Sequence, residues 1–98
     1  HDDPRLLCRE FATEAAHWIA GSPPGATFAC TVKTRYRQPD QACAVTILED
    51  GGCRVQTDQA HRAVTPGQSA VFYVGEVCLG GGVIARTTAN ETAAPIPR

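Results

Sequence analysis

The sequence lacks a dominant charge: nine Lys and Arg stand against ten Asp and Glu, a formal net charge of −1. The broad cationic field of many nucleic-acid binders is thereby excluded, and any basic site has to be local. No apolar run approaches the ~20 residues of a membrane-spanning helix. No succession of basic, apolar and small residues marks a signal peptide. The cysteines at 8, 30, 43, 53 and 78 form neither a C-x-x-C nor a Cys/His zinc spacing. His1, His17 and His61 have no metal-ligand spacing, no Ser/His/Asp set can be assembled, and the carboxylates are scattered. We therefore expect no catalytic residue and no metal ligand in the chain. An initiating Met is missing too, and the start at His1-Asp2-Asp3-Pro4 reads as a piece of something larger.

What is present suits one small domain. Ninety-eight residues bury roughly two-thirds of the surface of the unfolded chain, and a 43% apolar fraction supports a modest core. The odd number of widely spaced cysteines reads as reduced thiols serving as small apolar residues in a cytosolic core. The alternative is a single catalytic thiol.

Strand and turn signals dominate after a Gly21-Ser22-Pro23-Pro24-Gly25 break. Thr27 to Arg37 alternates, with Phe28, Cys30, Val32 and Tyr36 on one side and Lys33, Arg35 and Arg37 on the other. Gln38 to Gln41 turns the chain, Cys43, Val45 and Ile47 form the next inward set, and Glu49-Asp50-Gly51-Gly52 turns it again. Cys53, Val55 and Thr57 continue the meander, and Gln59 to Val64 reads as a weaker strand of mixed polarity. Pro66-Gly67 suits a type II turn. Ser69 to Val74 then pairs with Val77 to Leu79 through a turn at Gly75-Glu76. Gly80-Gly81-Gly82 fits a bulge or the close approach of another backbone, and Val83 to Arg86 is extended. About six short strands predict a small all-β barrel, whose closure removes edges.

Before the break, Leu7, Phe11, Ala15 and Trp18/Ile19 have a roughly helical spacing. The expected organisation is a lead-in over 1–20, a linker over 21–26, a β-barrel over 27–88 and a disordered tail over 89–98. The lead-in is open to either a helical or an extended reading.

Lys33, Arg35 and Arg37 at alternate positions lie about 7 Å apart along one face, close to the phosphate spacing of a nucleic-acid strand. Tyr36 supplies a ring that stacks on a base if the strand end splays. A solvated outer face with Tyr36 in the core explains the same residues. Gln68, just after a tight turn, has an amide that donates and accepts, suited to a phosphate, ribose or base edge, or to nearby backbone. The triple glycine lacks the spacing, helix and Lys of a nucleotide loop, so a bulge is preferred.

Thr65-Pro66-Gly67-Gln68-Ser69-Ala70-Val71-Phe72-Tyr73, with Cys78-Leu79-Gly80-Gly81-Gly82 after it, closely resembles the C-terminal domain of bacterial tRNA-specific 2-thiouridylases. Lys33-Thr34-Arg35-Tyr36-Arg37-Gln38 matches that family's K-x-R-Y-R-Q strand, and His17-Trp18-Ile19 its H-W-hydrophobic step. The resemblance runs from about residue 1 to residue 86. It implies a barrel like domain II of translation elongation factors, preceded by a turn and an extended stretch. It also implies tRNA contacts at Arg35, Tyr36 and Gln68, with Lys33 and Arg37 beside them.

By the same resemblance the longer enzyme is a cytoplasmic transferase that uses ATP with magnesium and a persulfide donor protein to thiolate the wobble uridine at C2. The sulfur-handling cysteines and the adenylation loop of that family have no counterpart here. The chain is thus expected to hold tRNA without catalysing, with no cofactor of its own and no DNA or membrane partner. A protein-docking barrel with no RNA contact is the alternative, and an independent enzyme with a nucleophilic cysteine is a third reading.

Overall fold

A computed structural model describes residues 7–34, 41–62 and 66–87. Among the described residues seven strands follow one another: β1 (Leu7–Thr13), β2 (His17–Trp18), β3 (Thr27–Lys33), β4 (Gln41–Ile47), β5 (Cys53–Arg62), β6 (Ser69–Val74) and β7 (Val77–Thr87). The order β1-β5-β4-β3-β6-β7 is closed by pairing of β1 with β7, and β2 adds to β7. Every adjacent pair is antiparallel. The expected six-stranded all-β barrel is what the chain forms.

Its membership differs from the sequence reading at two places. The lead-in segment supplies a barrel strand, β1, and the Gln59 to Val64 stretch begins as a continuation of β5. β1 is extended because it satisfies two edges at once, pairing Phe11 with both Val55 and Thr87. Unpaired backbone donors and acceptors on β5 and β7 outweigh a weakly helical spacing. β5 stays one strand across an irregularity: Cys8 faces His61 but Glu10 faces Gln56. The buried Thr57 hydroxyl sits in that gap, donating to the Gln59 carbonyl at 2.9 Å and lying 3.3 Å from the Arg9 carbonyl.

Alternation explains the core. Phe11, Cys30, Val32, Cys43, Val45, Cys53, Val55, Ala70, Phe72 and Ile84 point inward from all six barrel strands. Full burial of a large apolar side chain contributes about 1.5–3 kcal/mol, so Phe11, Phe72 and Ile84, each nearly inaccessible, supply much of the driving force.

One end of the barrel is capped by residues 14–20. Ala16 N–H donates to the Gly51 carbonyl, and Ile19 N–H donates to the Leu79 carbonyl, so the segment crosses that end. Trp18 drops into the core, stacked on Phe72 with centroids 5.7 Å apart and edge-on to Phe28 at 5.8 Å. The triple glycine lies where this segment passes over β7. A Cβ on Gly80 would collide with the His17 carbonyl and Trp18 Cα, and one on Gly82 would press on Thr13 and Glu14. Both expected roles coexist there, because Leu79 is also the extra residue between Phe72↔Gly80 and Tyr73↔Cys78.

Candidate nucleic-acid interface

Pairing directions assign each loop to an end. Lys33, the last residue of β3, faces Val71 near the start of β6. The first residues of β4 and β1 and the last residues of β5 and β7 belong to the same rim. The Pro66-Gly67-Gln68 turn leads directly into β6 and therefore lies on that rim too. Gln68 is three residues before Val71, about 10 Å along the strand. Lys33 and Gln68 thus stand at the ends of adjacent strands, on one side of the domain, close enough for one extended ligand to meet both.

Local chemistry holds each in place. Val32 is buried and Lys33 turns outward, half-buried. Gly67 adopts φ 96°, as the second central position of a type II turn requires. Its N–H donates to the Ile84 carbonyl at 2.9 Å, and Ile84 N–H donates to the Gln68 carbonyl at 2.7 Å. The turn is thereby pinned to β7, which orients Gln68 beside the rim. Arg35, Tyr36 and Arg37 lie outside the described residues, so of the five expected contact residues the structure brings together Lys33 and Gln68.

The sequence reading missed a second cationic feature. Ala12 on β1 pairs with Arg54 on one side and Arg86 on the other. These residues, with Glu10, Phe11 and Leu48, line a shallow cleft of about 80 Å³. Small-molecule sites usually need about 300 Å³ or more, so the cleft is a surface depression, and Arg54 Nε is already engaged by Glu10 Oε2 at 3.1 Å. β1 is diametrically across the barrel from β3, placing this pair away from Lys33. Only strand order reveals it, since positions 12, 54 and 86 are remote in sequence.

The opposite rim exposes several apolar side chains among charged ones. Ile19 and Val77 are each 64% exposed and Val74 is 53% exposed, around the β6–β7 turn and the capping segment. No group of three His, Cys, Asp or Glu suited to a metal occurs among the described residues. No described helix is long and apolar enough to cross a membrane. Burial pushes the Cys53 thiol up, and a hydrogen bond with Cys30 together with burial pushes Cys43 up.

A family profile described as the aminomethyltransferase beta-barrel domain matches residues 8–84, from β1 to β7. The tRNA-specific 2-thiouridylase MnmA of Marinobacter nauticus is 56% identical over 92 residues, covering 94% of this chain and 23% of that protein. The protein of the same name from Xanthomonas campestris pv. campestris is 54% identical over 88 residues, and that from Stenotrophomonas maltophilia strain K279a 56% over 88, each match covering 90% of this chain and 23% of the relative. The chain therefore spans about a quarter of the length of these relatives, the share of a single domain. Family profile and sequence identity agree: the chain belongs to the aminomethyltransferase beta-barrel domain family, in the form that tRNA-specific 2-thiouridylases carry as their C-terminal domain.

Proposed function

We propose that this barrel holds tRNA for an ATP-dependent tRNA 2-thiouridylase, and that it contributes position rather than chemistry. The observation that carries the reading is the shared rim: Lys33 faces Val71, and the pinned turn with Gln68 opens the same strand. Arg35, Tyr36 and Arg37 follow Lys33 in the chain and are assigned to the same contact. A cation, a guanidinium and an amide of this kind meet phosphate and ribose without reading a base in a duplex. The names of the relatives supply the substrate class.

The glycine-rich stretch does not fit a nucleotide. Gly80 is covered by the backbone of His17 and Trp18, and Gly82 by Thr13 and the Glu14 carbonyl, which leaves no room for a phosphate to approach. We therefore assign ATP with magnesium, the reacting sulfur and the persulfide donor to the rest of a cytoplasmic enzyme. Holding a large substrate still is valuable there, because small misplacement of a reacting group costs a great deal of rate.

The test is tRNA binding by the longer enzyme carrying Arg35→Ala, Tyr36→Ala and Gln68→Ala. Weakened binding with the fold intact supports the reading, and parental affinity sinks it. The exposed Ile19, Val74 and Val77 favour a second role for the opposite rim, protein docking. That role is compatible with RNA at the first rim, and it becomes the main reading if the triple substitution changes nothing.

A further inference from the structure

The buried thiols are not equivalent. Cys30 on β3 and Cys43 on β4 are direct partners across the hairpin, and their sulfurs lie 3.8 Å apart inside the barrel. Opposed Cα atoms in an antiparallel ladder are about 4.5 or about 5.5 Å apart according to the pair type. Both values fall within the roughly 4.4–6.8 Å that disulfides span. Strand separation therefore already suits a bond, and side-chain rotation has to close the remaining gap. Among the described residues no second sulfur hydrogen-bonds to Cys53 or Cys78.

We propose that Cys30 and Cys43 form a disulfide site oxidised by hydrogen peroxide, a cross-strand clamp inside the barrel just beneath the rim that carries Lys33. Either sulfur can donate the shared hydrogen bond, and whichever accepts it is favoured as the thiolate. Cys30 is the more accessible residue, 9% exposed against 4% for Cys43, so peroxide, scarcely larger than water, is assigned to meet it first.

The Cys30 thiolate attacks one peroxide oxygen, the O–O bond breaks, and a sulfenic acid and one water result. The Cys43 sulfur then attacks the sulfenic sulfur, the S–S bond forms and a second water leaves. Two thiols and one hydrogen peroxide become one disulfide and two waters, with two electrons passing from sulfur to oxygen. The bond would close the chain between β3 and β4 around Lys33, Arg35, Tyr36 and Arg37. It fixes the register of that hairpin in the folded state and restricts the unfolded one. The chemistry stands on the sulfur pair alone, whatever the rim binds.

The experiment treats the 98-residue chain with a few equivalents of hydrogen peroxide, then unfolds and alkylates it. Cleavage after Lys33, Arg35 and Arg37 separates the two cysteines into different peptides. The expected result is a Cys30–Cys43 cross-linked peptide pair, an intact mass lower by two hydrogens, and a Tm higher by about 10 °C or more. A thiol reductant reverses all three. The Cys78→Ser variant, which leaves the pair untouched, should give the same link. Recovery of Cys30 and Cys43 as alkylated thiols, or as separate oxygenated acids, overturns the proposal, as does a link to any other cysteine.

Discussion

The indole of Trp18 lies nearly parallel to the ring of Phe72, their planes 18° apart and their centroids separated by 5.7 Å. One residue comes from the capping segment and the other from the barrel wall, so this contact joins the cap to the core. Trp18→Ala should lower stability by about 3–5 kcal/mol, the usual cost of removing a large buried aromatic. Ile19→Ala, next in sequence but largely exposed, should stay within about 0.5 kcal/mol. Urea unfolding followed by circular dichroism measures both, and equal effects would show that the cap does not seal the barrel.

Glycines should separate in the same way. Gly80→Ala places a methyl against the backbone of His17 and Trp18 at φ 148°, and neither neighbour can yield as a side-chain tip does. A loss of about 3 kcal/mol or more is expected. Gly21→Ala also meets a positive φ, 95°, but nothing lies within 4 Å. Its cost should stay near 1 kcal/mol, the backbone penalty alone. Comparison of the two midpoints checks whether close approach or conformation dominates.

Alkaline pH should weaken the fold through Cys53. Burial keeps its proton bound above the ordinary thiol value of about 9.0 in the folded barrel, whereas the unfolded chain releases it there. The stabilisation is therefore complete below that pH and is lost as pH rises beyond it. The slope is about −1.4 kcal/mol per pH unit for one retained proton. Cys53→Ala should make the decline above pH 9.0 shallower, by at most one proton's worth. An unchanged slope in that variant would assign the effect elsewhere.

Binding at the rim should depend on side as well as charge. In the longer enzyme, Lys33→Gln is expected to weaken tRNA binding severalfold and to reduce the salt slope by about one phosphate contact. Arg54→Gln removes the same charge from the opposite wall and should leave that slope unchanged. Filter binding over a salt series distinguishes the two. Equal responses would mean a diffuse field rather than a located contact.

Much of this barrel is legible in the sequence, because β3, β4 and the first half of β5 bury one face and solvate the other. Cys30 and Val32, Cys43 and Val45, and Cys53 and Val55 are inward at every second position. β1 is illegible for the opposite reason. Phe11, Ala12 and Thr13 are all buried. Phe11 fills the core, Ala12 sits between Arg54 and Arg86, and the Thr13 hydroxyl bonds the Glu14 carbonyl and the Cys53 N–H. A strand covered on both faces loses its period-two signature. The Leu7, Phe11 and Ala15 spacing was then left to mimic a helix.

Gln68 shows the same division. The Pro-Gly turn before it is a local signal, and Gly67 takes the expected conformation. That the turn sits beside the end of β3 depends on pairing between β3 and β6, whose residues are about forty apart, as in Thr31 and Tyr73. No local pattern encodes such a neighbourhood.

Closure of β1 against β7 has a mechanical corollary. Phe11 lies opposite Thr87, so the polypeptide arrives and departs along neighbouring staves, toward the same side. Rearranging the gene so that those staves are spliced together and the chain is opened at Asp50-Gly51 should still yield the barrel.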